Sequence, residues 1–180
     1  MLTGLVVGVM AFSWPSPAGA ADSMCQDGKA VSESMAKQGA ARVMQGRFDS
    51  EAGWNRLLSC IRTGDSAWLQ IASQIQGQLD GGGPGELAMA VGDALERNAI
   101  GVLSLIRRGY SSTKVVCACE GFEDLLGSDF RQALATIDRR RKSVEAVVSH
   151  GVATERSSCL THLAALEADV RKHEHEWFAQ

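Results

Sequence analysis

Apolar residues return at helical spacing along most of this chain. In "SEAGWNRLLSCIRTGD", residues 50 to 65, Trp54, Leu57, Leu58 and Ile61 fall at i, i+3, i+4 and i+7, which predicts an amphipathic helix. Gly64 stands where a C′ glycine closes a helix, and Asp65 stands where an N-cap opens the next. The following stripe, Trp68, Leu69, Ala72 and Ile75, predicts a second helix antiparallel to the first. After "DGGGPGE", read as a flexible connector, Leu87, Ala90, Val91, Ala94 and Leu95 repeat the pattern. Asn98 reads as a further cap, followed by Val102, Leu103 and Ile106. The two helical hairpins echo each other at an offset of about 33 residues, a period of the kind helix-pair repeats show. Two copies are too few for a solenoid.

Further along, Val115 to Cys119 reads as short and extended. Phe130, Leu134, Ile137, Arg141, Val144 and Val148 step by fours and threes, predicting a long helix that ends at Gly151. A last helix from about Thr154 carries Cys159, Leu163, Leu166, Val170, His173 and Trp177 on one seam, antiparallel to the previous one. Before the hairpins, the stretch from Ser23 to Phe48 predicts a helix with Val31, Met35 and Val43 inward. Alternation of the strand kind is almost absent. The expected fold is therefore all-α: a single-domain bundle of six to seven helices, two hairpins followed by two long antiparallel helices.

The N-terminus reads differently. Leu2 to Phe12 is an apolar run of h-region length, Pro15 and Pro17 break it, and Ala18-Gly19-Ala20 offers a small-x-small cleavage pattern. The basic residue that opens most leaders is missing. The expectation is a signal peptide over 1–20, a single helical domain over 21–180, and a periplasmic protein with no membrane span in its mature part. The net charge of −3 lacks the basic footprint of a nucleic-acid binder.

Export changes the reading of the five cysteines, because thiols pair in an oxidising compartment. A bridge from Cys117 or Cys119 to Cys159 would tie the segment before the first long helix to the second. Cys117 is the favoured partner, with a contribution of about 3–4 kcal/mol in the chain-entropy account. Cys25 and Cys60 are the next candidates for each other. An odd count leaves one thiol over, or one that joins two chains in a homodimer. A Cys-x-Cys pair also suits soft metals such as Cu(I), which keeps a metal-binding alternative open.

Other motifs carry less. His173 and His175 point about 200° apart on a helix and do not share an ion. "GGGPGE" lacks the Lys-Ser/Thr ending of a phosphate loop. Gly-x-Ser-x-Gly is absent, and no acidic pair shares an apolar setting. The expectation is a chain that is not an enzyme and takes no cofactor. Two segments stand out as partner contacts: the loop Gly81, Gly82, Gly83, Pro84 and Glu86, and the basic run "DRRRKS", where Arg139, Arg140 and Lys142 are expected to face solvent.

The stretch "GWNRLLSCIRTGDSAWLQIASQI", the glycine-rich loop and "ELAMAVGDALERNAIGVLSLI", with a cysteine after the second hairpin and another near the chain end, resemble a pattern in small exported proteobacterial proteins of unsettled function. The resemblance covers residues 50 to 163 and implies a fold rather than an activity. By architecture and compartment the chain is also similar to immunity proteins that block type VI secretion amidase toxins. That similarity implies a protein partner, a cell-wall hydrolase toxin, plugged by a rigid loop or helix face. An envelope scaffold or assembly factor, or a small-ligand binder using a groove between the hairpins, is the alternative.

Overall fold

The computed structural model describes residues 24–118 and 129–174, which form nine α-helices and no strand. They are α1 (Gly28–Gln38), α2 (Ala40–Arg47), α3 (Glu51–Arg62), α4 (Ser66–Ile75), α5 (Gly83–Asp93), α6 (Leu95–Arg107), α7 (Thr113–Ala118), α8 (Phe130–Glu145) and α9 (Ala153–Lys172). Single 3-10 turns follow α4, at Gln76–Gln78, and precede α9, at His150–Val152. The all-α, single-domain expectation holds. Residues 1–20, read above as a signal peptide, and Cys119, His175 and Trp177 lie outside the described residues.

Local chemistry sets the boundaries. Ser50 caps α3 by accepting a hydrogen bond from the Gly53 N–H at 3.1 Å. Gly64, at φ 74°, turns the chain out of α3 as only glycine does without strain. Asp65 opens α4, its Oδ1 accepting from the N–H groups of Ala67 at 2.9 Å and Trp68 at 3.3 Å. Asn98 interrupts α6 with φ −146° and ψ 63°. Its Oδ1 accepts from the Gly101 N–H at 2.9 Å, while its Nδ2 donates to the Gly64 carbonyl at 2.7 Å. One side chain thus caps its own helix and holds the turn of the preceding pair.

Nine helices replace the six or seven expected, for two local reasons. The N-terminal helix is cut in two at Gly39, whose φ of 86° and ψ of 142° are not helical. The segment expected to be extended instead forms α7, begun by Ser112 Oγ accepting from the Val115 N–H at 3.2 Å. The long helix α8 also ends at Glu145 rather than at Gly151. Arg156 of α9 donates to the Val144 and Glu145 carbonyls at 3.2 and 2.9 Å and so satisfies the end of α8 from the neighbouring helix.

The helices pack in two rows. α3 has α5 as its main neighbour, and α5 continues to α7; α4 packs on α1 and α6, and α6 on α8. α9 covers α7 and α8 together. α3 and α4 therefore each pack on the matching helix of the next pair, α5 and α6, while α4 also packs closely on α1. Ion pairs and hydrogen bonds follow the rows: Arg62 of α3 meets Asp93 of α5 at 3.0 Å, and Trp54 Nε1 of α3 donates to Glu86 of α5.

The predicted inward residues Val31, Met35, Val43, Leu57, Leu58, Ile61, Trp68, Leu69, Ala72 and Ile75 are all buried. So is the α9 seam of Cys159, Leu163, Leu166 and Val170. Trp68 donates Nε1–H to the Cys25 carbonyl at 2.7 Å and meets Phe48 edge-on at 6.4 Å between ring centres. Two disulfides brace this body: Cys25–Cys60, with Cα atoms 5.3 Å apart, and Cys117–Cys159, with Cα atoms 5.6 Å apart.

The row from α5 to α7 is tight at Gly92. A Cβ placed there would lie 2.5 Å from the Val116 carbonyl oxygen, a backbone atom that cannot swing aside. Gly92→Ala is expected to lower stability by about 1–3 kcal/mol as overpacking. In urea unfolding the midpoint should fall with the slope unchanged; a midpoint at the parent value would contradict the close approach.

Candidate binding surfaces

The glycine-rich segment is less of a loop than expected. Gly81, at φ 55°, and Gly82 form a turn, and α5 begins at Gly83 with Pro84 in its first turn, where a missing N–H costs nothing. Glu86 already lies in the helix and accepts from Trp54 Nε1–H, so it is committed within the fold. Gly81, Gly82 and Glu86 are exposed, and Gly83 and Pro84 are half-buried.

The basic run is also built into the structure. Arg140 was expected beside Arg139 and Lys142 on the solvent face, but it is buried. The inward stripe of α8 is Ala133, Ile137, Arg140 and Val144; it keeps Ile137 and Val144 of the expected stripe and is turned by about 50° from the orientation that would place Arg141 in the seam. The Arg140 stem lies in the core and its Nη2 closes on Asp93 of α5 at 2.5 Å. Arg141 is half-exposed and bridges Asp138 at 2.7 Å and Glu167 of α9 at 2.6 Å. Its hydrogen bond to Asp138 and the Glu167 charge hold its proton more tightly than usual. Arg139 pairs with Glu96 at 2.8 Å, and Lys142 with Asp138 at 2.7 Å. The hydrogen bond from Lys142, outweighing a small burial penalty, helps hold the Asp138 carboxyl below its ordinary range. Arg139 and Lys142 remain at the surface, but their charges are largely answered within the chain.

The cysteines are placed as favoured: Cys117 pairs with Cys159 and Cys25 with Cys60. A Cys117–Cys119 thiolate pair for a soft metal is therefore not what this structure offers. His173 is half-buried, its Nδ1 3.0 Å from the Asp169 carbonyl. Among the described residues no group of three or more metal-ligating side chains comes together. Among the same residues no helix is long and apolar enough to cross a membrane.

Two surface depressions stand out among the described residues. One, of about 460 Å³, lies where α6 meets the segment after α8, with Ile100, Ala146, Val147 and Val148 in its lining and Arg97 and Glu96 at its edge. Two of the three exposed large hydrophobics among the described residues are here, Ile100 and Val148, and Val148 is 91% exposed. The sequence placed Val148 on the inward stripe of the long helix. The early end of α8 released it to the surface instead.

The second depression, of about 580 Å³, runs between α4 and α6 and is lined mainly by Ser66, Gln70, Ser73, Gln74, Ser104 and Arg108. The sequence carried a signal for it. Ser66, Gln70 and Ser73 recur at i, i+4 and i+7 on the face of α4 opposite its apolar stripe, and Ser104 of α6 stands four residues before Arg108 at the helix's C-cap. Comparison of the chain with known protein families, with curated proteins and with solved structures found no match.

Proposed function

We propose that the chain is an exported, non-enzymatic binding protein of the periplasm that docks a protein partner. The narrowest form of this reading is an immunity protein against a cell-wall hydrolase toxin, such as a type VI secretion amidase. The observation that carries the binding reading is the apolar depression around Ile100 and Val148. Two bulky aliphatic side chains at the surface, Ile100 on α6 and Val148 in the short segment between α8 and α9, offer a central anchor. Arg97, exposed and making no side-chain hydrogen bond or ion pair among the described residues, and Arg139 flank it. The matching partner carries an apolar protrusion beside carboxylates. The two disulfides favour an oxidising destination and keep the scaffold from yielding when the partner docks.

Ile100→Asp and Val148→Asp are each expected to weaken the complex about 30-fold or more while leaving the unfolding midpoint near that of the parent. Titration calorimetry against a purified type VI secretion amidase would measure it. Unchanged affinity in both variants would remove the depression from the interface. A periplasmically expressed protein that gives no protection against that hydrolase would sink the immunity form and leave an envelope scaffold or assembly factor as the remaining role. Recovery of the protein from the periplasmic fraction beginning at Ala21 is the expected sign of export; an uncut protein in the cytosol would overturn it.

A further inference from the structure

We infer that the groove between α4 and α6 is a separate ligand site, and that it takes a small amide-bearing carboxylate, the chemistry of a free peptide C-terminus. The inference rests on what the groove's side chains leave undone. Elsewhere on the helices, hydroxyls fold back on the backbone: Ser34, Ser59 and Thr161 donate to carbonyls four residues earlier at 2.9, 2.8 and 3.1 Å. Ser73 and Ser104, in equivalent mid-helix settings, do not, and neither does Ser66 find a partner. The carboxamides of Gln70 and Gln74 likewise make no side-chain hydrogen bond among the described residues. Gln74 Oε1 is shielded from solvent all the same. A shielded acceptor without a partner is costly to maintain, and the Gln74 carboxamide turned out into the groove would accept a ligand N–H instead.

The charge of the groove narrows the ligand. Its lining contains one cation, Arg108, and no carboxylate. The Arg108 guanidinium makes no ion pair or hydrogen bond to any described residue, whereas Arg47, Arg56, Arg62, Arg139, Arg141 and Arg171 all meet carboxylates. A planar fork of donors left open at the edge of a hydroxyl- and amide-lined groove suits a carboxylate, which it grips through two parallel hydrogen bonds. The shielded carboxamide then receives the ligand's amide N–H, and the serines serve its remaining polar atoms. The volume lies within the range of small-molecule sites. The groove and the Ile100–Val148 depression share no lining residue, so the two sites can be tested apart.

The probes are N-acetyl-alanyl-alanine with a free carboxylate and the same compound with a C-terminal amide, titrated into the ¹⁵N-labelled protein. Shifts confined to α4 and α6 are expected, with the acid binding about tenfold or more tightly than the amide. Arg108→Gln should abolish that difference, and Gln74→Leu should weaken both probes while keeping it. Arg108 is exposed, so its variant should retain the parent's circular dichroism and urea midpoint. Equal binding of acid and amide to the parent protein, shifts outside the two helices, or no shift at about 10 mM probe would each overturn the assignment.

Discussion

Asp93→Ala is expected to lower the unfolding free energy by about 3 kcal/mol, although it truncates a side chain that still touches solvent. Its effect falls on Arg140. The guanidinium is buried with a relative exposure of 1%, and its Nη2 closes on the Asp93 carboxylate at 2.5 Å. Removing one partner of a buried charge pair costs more than the pair itself contributes, because the remaining charge keeps its desolvation penalty. Partial exposure of Asp93 lets water recover some of that loss, which holds the figure to the lower part of the range for buried pairs. The neighbouring contact from Arg62, itself half in solvent, adds little. The decisive comparison is Asp93→Ala with Arg140→Met, which replaces the ion by an apolar chain of similar reach. That double variant should be more stable than Asp93→Ala alone, as urea unfolding followed by circular dichroism would show. If Asp93→Ala unfolds within about 0.5 kcal/mol of the parent, Arg140 does not depend on that carboxylate.

Removing the Cys117–Cys159 bridge, as the double alanine variant, should cost about 4 kcal/mol for its sequence separation of 42. For a chain of this size that corresponds to a melting temperature lower by about 8–16 °C. The Cys25–Cys60 separation of 35 gives nearly the same loop-closure contribution, so loop length does not rank the two bridges. Their positions do. Cys117 and Cys159 are both fully buried, and the bridge holds α7, a helix of six residues, against α9. A helix so short has little stability of its own and depends on what it is fastened to. Cys25 is only half-buried, and Trp68 holds its carbonyl independently of the sulfur. The larger loss is therefore expected at Cys117–Cys159. A melting temperature within about 2 °C of the parent, under non-reducing conditions, would contradict this.

Much of the fold was legible because its signals are local. The inward residues of α3, α4, α5 and α9 follow from periodicity, and Gly64, Asp65 and Asn98 follow from the chemistry of helix ends. The disulfide pairing was legible once the compartment was assumed. α7 was misread as extended because Val115 and Val116 favour strands when judged alone. Glu86 and the glycine-rich turn were read as a free loop because nothing nearby announces that Trp54, 32 residues earlier, supplies the bond that commits Glu86. The polar stripe of α4 was present in the sequence, but a polar stripe reads the same whether it faces open water or a groove shared with α6.

The sequence by itself determined the helical class, the faces to be buried and the sites of the caps, since each is set by residues within one or two turns of each other. The tertiary structure alone decided which helix covers which face, that Arg140 rather than Arg141 turns inward, and that Val148 is left outside. Arg140 and Arg141 stand about 100° apart around the helix, on either side of the Ile137–Val144 line, and a stripe that mixes arginine with aliphatics tolerates either one inward. The choice falls to a carboxylate on Asp93, 47 residues away in the chain, which only the packed rows of helices bring within reach.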